Sequence, residues 1–309
     1  MACSESRNFM KLTLSKVIPS PLDAQLQLVH ALENTGAFLM ADRWKILLLR
    51  PNGTMDLIWQ TTDEDIAYKW RGFSDDRLTD SVYDETRQLA TGFRLLPKED
   101  YQRMEASDLY KKASTLPLLY EAHHGTWIAF AGKKISVIKW EEGHASEYAI
   151  MKTKGKDPIC RALHPQQNLI VYGTNHGELF AQPFDQNGFG KTIKISELPN
   201  TCYQIAFSGD GKRLFVGGLG YIKMFEYDSK SFTEMASISS ALRSFELVEN
   251  YLVLNKGMHG IDVIEVSDKL QRIGSMDLPF SIDKMLCLAP QRTFLLTSGS
   301  TNEWALLNW

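Results

Sequence analysis

Cysteines, histidines and a glycine cluster are the residues of this chain whose types lend themselves to chemistry. Cys3, Cys160, Cys202 and Cys287 are widely spaced and include no C-x-x-C pair. A zinc site or a disulfide framework calls for closer spacing or more ligands, so neither is expected, and Cys160 and Cys287 in their apolar runs read as small core residues. No G-x-S-x-G marks a nucleophile. Gly217-Gly218-Leu219-Gly220 is glycine-rich, but a phosphate cradle needs a strand followed by a helix N-terminus. Here the glycines join two strand-like runs and read as a tight hairpin. Of the histidines, His123-His124 are adjacent and would face opposite ways on a strand. His164 precedes Pro165 in a turn, and all three read as solvent-exposed. Lys111-Lys112 and Lys133-Lys134 are isolated pairs in a chain of net charge −3, which is no basic stripe for nucleic acid. The expectation is therefore no catalytic residue, no metal and no cofactor.

The elements that position these residues are short. No stretch of 12 or more residues sustains helical apolar spacing with a capping signal. Apolar or alternating runs of five to seven residues recur instead, broken by Gly, Asn, Asp or Pro, and these are strand signals. They come in pairs with a period. The second run of each pair ends at Arg50, Trp140, Phe184, Tyr227, Val266 and Trp309, and the gaps after Trp140 are 44, 43, 39 and 43 residues. The first gap, 90, is twice that unit, and GFRLL ending at Leu96 fills it. Each clear unit has a strand, a turn, a second strand, a small-residue turn, a third strand and a more polar fourth. Four antiparallel strands in about 40–45 residues is a propeller blade.

The fold class expected is all-β: one seven-bladed β-propeller domain over residues 1–309. After Trp309 the last unit lacks a fourth strand, and residues 8–18 read as a strand with nothing before it to pair with. The N-terminal strand is expected to complete the C-terminal blade, closing the ring and leaving no free sheet edge. Residues 61–112 hold 21 charged residues in 52, about 40% against 23% overall, and read as a degenerate, charged second blade. With Phe184-Asp185, Tyr227-Asp228, Val266-Ser267-Asp268 and the Asp210-Gly211 turn, the chain resembles the WD40-like propeller class. The resemblance is architectural, since no unit pairs Gly-His with Trp-Asp.

In that class the turns between second and third strands crowd one end of the channel. They bring Asp42, Arg43 and Trp44; Lys133 and Lys134; Asn175 and His176; Tyr221; Met258 and His259; and Asn302 and Glu303. A ring mixing Arg, Trp, Tyr, Met and His has the composition of an interface centre. The expected partner-binding set is Arg43, Trp44, Lys133, Lys134, Asn175, His176, Tyr221, Met258, His259 and Asn302. The expected function is a non-enzymatic scaffold for another protein, an inhibitory or immunity-type partner being one variant. The alternative is a lactonase-like hydrolase with a channel metal held by residues such as Glu121, Asn175, Glu246 and Asp283.

A pI near 6.2 argues against nucleic acid and against a polyacidic tail. The N-terminal residues show no secretory signal, position 2 is not Gly, and no run approaches the ~18 apolar residues of a membrane span. A cytoplasmic, reduced environment is expected, and Asn52-Gly53-Thr54 then reads as a turn rather than a glycan acceptor.

Overall fold

The computed structural model describes residues 10–20, 22, 28–32, 36–41, 44–60, 118–122, 126–131, 134–141, 144–155, 158–185 and 188–309. Every regular element there is a strand apart from two 3-10 turns, Gly257–His259 and Ala289–Gln291. The chain opens with β1 (Thr13–Pro19). A first sheet follows from β2 (Leu28–Leu32), β3 (Ala37–Ala41), β4 (Lys45–Leu49) and β5 (Met55–Gln60), and a second from β6 (Leu118–Ala122), β7 (Thr126–Ala131), β8 (Lys134–Glu141) and β9 (His144–Lys152). The third holds β10 (Pro158–Leu163), β11 (Leu169–Thr174), β12 (Glu178–Asp185), the two-residue β13 (Gly188–Phe189) and β14 (Ile193–Glu197). The fourth holds β15 (Cys202–Phe207), β16 (Arg213–Gly218), β17 (Tyr221–Tyr227) and β18 (Phe232–Ile238). In the fifth are β19 (Ser244–Val248), β20 (Tyr251–Asn255), β21 (Ile261–Val266) and β22 (Leu270–Met276). The last contains β23 (Lys284–Leu288), β24 (Thr293–Ser298) and β25 (Glu303–Asn308), and its fourth strand is β1, antiparallel to β25 from Thr13 opposite Asn308 to Pro19 opposite Glu303.

Burial explains why the second and third strands read as continuous apolar runs. Every residue of β11 (LIVYGT) and of β24 (TFLLTS) is buried, while the fourth strands β14, β18 and β22 are mostly exposed or half-buried. A strand buried on both faces needs a neighbour on each, and the apolar clusters run between consecutive sheets. Val171 and Ala181 meet Leu214, Val216 and Phe225; Phe215 and Met224 meet Leu252 and Ile264; Val253 and Val263 meet Phe294 and Leu296. Leu295, Trp304 and Leu306 meet Phe38, Met40 and Leu47, and Ile135 meets Ile170 and Tyr172. Each fully buried Leu, Ile or Phe contributes about 1.5–3 kcal/mol. The first strands lie side by side: β2 beside β23, β23 beside β19, β19 beside β15, and β15 beside β10.

Two turns differ from or refine their sequence readings. His164 is buried rather than exposed, because its Nδ1 accepts the backbone N–H groups of Gln166 and Gln167 and its ring packs edge-on to Phe207 and Tyr227. It wedges the β10–β11 turn against the next sheet. Gly211, at φ +72°, sits so close to the His164 imidazole that a Cβ there would strike the ring. Gly211→Ala combines left-handed backbone with displacement of a packed ring, and is expected to cost roughly 2 kcal/mol, read as a lower urea midpoint. Asn52-Gly53-Thr54 is a turn as expected: Arg50 N donates to Thr54 O, and Asn52 Oδ1 accepts from Thr54 N.

The charged unit over residues 61–112, GFRLL within it, His123, His124, Cys3 and the first residues of the 8–18 strand lie outside the described residues. The third strands β17 and β21 end at Tyr227 and Val266, where the periodicity places them.

Candidate functional site

The turns between second and third strands and the segments entering each sheet interlock at one end of the molecule. Leu198 N donates to Gly177 O, and Thr201 Oγ1 to Asn175 O. Leu219 N donates to Thr201 O, Ser240 N to Gly220 O, Arg243 N to Asn255 O, and Ile282 N to Gly257 O. Arg243 Nη1 reaches Asp283 Oδ1 at 2.6 Å, and the other Asp283 oxygen accepts Gly299 N–H. Ser20 N donates to Asn302 O. These entering segments are thus tied to the turns beside them, by backbone bonds joined by the side chains of Thr201 and Asp283.

On this frame Asn175 and His176 are exposed in the β11–β12 turn, Met258 and His259 are exposed on the Gly257–His259 turn, and Asn302 is exposed between β24 and β25. Asn302 adopts φ +53°, a conformation Asn tolerates better than most residues, so the turn itself accounts for its type. Trp44 is half-buried just before β4, and Lys134 is the first residue of β8. Tyr221 is buried; its hydroxyl donates to Asn200 O at 3.1 Å and burial pushes its pKa up. It braces the turn from beneath instead of offering a contact. Arg43, Lys133 and Asp42 lie outside the described residues.

Three exposed apolar residues at this end escaped sequence reading. Leu219 caps the β16–β17 hairpin, where packing requires the two glycines before it and a φ of +85° favours Gly220 after it. A Cβ on Gly218 would meet Thr201 O and Tyr221, and one on Gly217 would meet Leu242 and Phe245. Ile159 and Tyr203 are the extra residues at register shifts between Pro158 and Cys160 and between Cys202 and Gln204. A bulge re-aims a side chain out of the strand's alternation, and both residues are 44% exposed. With Leu219 at 55% and Met258 at 77%, they place large apolar groups beside interlocked polar turns.

Of the residues named for hydrolysis, the Glu121 side chain lies outside the described residues. Asp283 is engaged by Arg243 and the Gly299 amide. Glu246 stands on first strand β19, where desolvation holds its carboxyl up at about 8. Among the described residues no three His, Cys, Asp or Glu side chains are grouped to hold a metal. Asp262, buried on β21, is flanked by Lys256 Nζ at 2.6 Å and Arg272 Nε at 2.9 Å, a charge cluster within one sheet.

Cys160 is a core residue as expected, but its neighbour was not foreseen. Cys160 on β10 and Cys202 on β15 are both buried, and their sulfurs lie 2.8 Å apart. Sequence distance hid a contact between neighbouring sheets.

Neither a family model nor a curated protein matches the chain. Solved structures do. The β-propeller domain of Myceliophteria thermophila Cps50 (Swd1) aligns with TM-score 0.67 at 9% identity, covering 97% of this chain and 100% of that one. The WD40 β-propeller domain of Doa1 aligns with TM-score 0.61 at 14% identity, covering 97% and 98%. A putative 6-phosphogluconolactonase from Bacteroides fragilis aligns with TM-score 0.62 at 12% identity, covering 94% and 92%. The architecture resembles that of these β-propeller domains: all-β, built of antiparallel sheets packed face to face. Among the described residues no helix is long and apolar enough to cross a membrane.

Proposed function

We propose that the chain is a non-enzymatic, cytoplasmic scaffold that binds another protein through one end of its propeller. In this reading residues 1–309 form one seven-bladed ring, β1 closes it into the last blade, and residues 61–112 supply a charged second blade. The observation that carries the reading is the exposure of four large apolar residues at one end of the sheets, Ile159 and Tyr203 at bulges near the start of first strands and Leu219 and Met258 on turns. Clustered exposed apolar groups rimmed by polar ones mark association surfaces. Asn175, His176, His259 and Asn302 supply the rim, with Arg43, Trp44, Lys133 and Lys134 extending it. Turns already tied by backbone hydrogen bonds lose little ordering entropy on binding, so contact energy goes into affinity.

The test is capture from native cell extract by the full chain, with Leu219→Ala/Met258→Ala/His259→Ala as the comparison. The expected result is a stoichiometric protein held by the wild type and lost, by 100-fold or more on the order of a disrupted hot spot, in a variant whose melting temperature is unchanged. Equal capture by both proteins overturns the face; no captured protein overturns the scaffold reading. The lactonase-like alternative draws on a fold neighbour at 12% identity. Stoichiometric divalent metal in the purified protein would favour it.

A further inference from the structure

Two buried thiols on neighbouring sheets form a site that neither the fold nor the binding reading uses. Cys160 lies on β10 and Cys202 on β15, first strands that pack side by side. The Cys160 thiol points at the Cys202 sulfur across 2.8 Å, and a bonded pair sits at about 2.05 Å. Less than an ångström of movement separates contact from bond. The space is kept by Gly173 on β11: a Cβ there would press on the Cys202 Cβ and on both sulfurs. We infer that Cys160 and Cys202 are a redox pair that closes reversibly into a disulfide joining the third and fourth sheets, with a peroxide as oxidant.

The two steps balance. Cys160, the less deeply buried of the two, loses its proton and attacks a peroxide oxygen. The O–O bond breaks, the displaced oxygen leaves as water with that proton, and Cys160 becomes a sulfenic acid. The Cys202 sulfur then attacks the Cys160 sulfur, the S–O bond breaks, and a second water carries off the Cys202 proton. Two thiols give up two electrons, and one peroxide is reduced to two waters. A low-molecular-weight thiol reverses the bond by exchange.

The environment sets the rate. The contact with Cys160, followed by burial, pushes the Cys202 thiol well above the usual range. Since the thiolate is the nucleophile, closure is slow at neutral pH and speeds up as pH rises. The bond falls beside the bulge residues Ile159 and Tyr203, so oxidation ties together the strands that present them.

The experiment treats the folded full-length chain with hydrogen peroxide, quenches, denatures, alkylates free thiols and maps peptides by mass without reduction. The expected product is one peptide pair joining Cys160 to Cys202, returned to free thiols by dithiothreitol. Two of the four cysteines are then alkylated, against four in the reduced chain. The cross-link is expected to form faster at pH 9 than at pH 7 and to persist in Cys287→Ser. Melting temperature is expected to rise on oxidation, and the rise to vanish in Cys202→Ala. A Cys160–Cys202 peptide absent after prolonged peroxide overturns the inference. So does sulfinic acid at Cys160 without a cross-link, or pairing to Cys3 or Cys287 instead. The readout is the wild-type peptide map, so it does not depend on a variant folding, nor on whether the chain binds a protein.

Discussion

Gln204→Leu is expected to lower the folding stability by about 3 kcal/mol, seen as a fall in the urea midpoint at unchanged slope. Gln204 lies on first strand β15, and its side chain reaches the adjacent first strand β19. Its Nε2 donates to Phe245 O at 2.7 Å, and its Oε1 accepts Phe245 N–H at 2.7 Å. The amide thus presents to Phe245 the donor and acceptor that another strand's peptide would present. First strands are sheet edges, and an edge strand carries a row of unpaired N–H and C=O groups. Phe245 is 1% exposed, so water cannot replace a lost partner there. Leucine keeps the volume and removes both bonds, stranding two buried backbone groups at about 1–3 kcal/mol each. Gln204→Glu separates the bonding from the packing. An ionised carboxylate still accepts from Phe245 N–H but repels Phe245 O, whereas the protonated acid restores a donor. The Glu variant is therefore expected to be weak at pH 7 and to recover relative to the Leu variant at pH 4. Equal loss in both variants at both pH values would show that Gln204 acts only through its volume.

Burial on both faces of the second and third strands made most of the fold legible. Strands such as β11 and β24 are packed on both sides, so each appears as an uninterrupted apolar run of strand length, and the unit length repeats because each sheet repeats. The pairing of β1 with β25 was legible for a related reason: a lone strand signal at one end matched a missing one at the other. The apolar residues of the site were not. Ile159 and Tyr203 sit in runs that read as regular strands, and the bulges that turn them outward depend on how the first and second strands register. His164 was misread because a His-Pro turn looks solvated until the ring of the next sheet, Phe207 and Tyr227, is brought against it. Cys160 and Cys202 did carry a usable signal. They stand 42 residues apart, close to one repeat, and two residues one repeat apart on first strands become neighbours once the sheets pack side by side. Spacing rules for disulfides and zinc look for nearness along the chain, which is the wrong metric in a repeat fold.

A second large effect is expected from Glu246, the residue after Phe245 on the same strand. The residue as a whole is partly exposed, but its carboxyl is desolvated, which raises its pKa from 4.5 to about 8. In the unfolded chain the group titrates near its ordinary value, so between about pH 4.5 and 8 the folded state holds a proton that the unfolded state has released. Stability therefore falls as pH rises through that window. At pH 7 the gap is worth about 3 kcal/mol, and solvent reaching the partly exposed residue brings it nearer about 2. Glu246→Gln keeps the shape without the proton equilibrium. It is expected to be more stable than the wild type at pH 7, equal to it near pH 4, and flat between. Lys284 on the neighbouring first strand β23 works with the opposite sign. Burial lowers its pKa from 10.5 to about 8, so from about pH 8 to 10.5 the unfolded state binds the extra proton and stability climbs with pH. Together the two groups place a shallow minimum of stability near pH 8. Urea midpoints from pH 4 to 10.5 for the wild type, Glu246→Gln and Lys284→Met test the pair. The first variant should remove the acid-side fall, the second the alkaline-side rise. A wild-type profile that is flat or peaks near pH 8 would mean that water and movement at the first strands already relieve both burials.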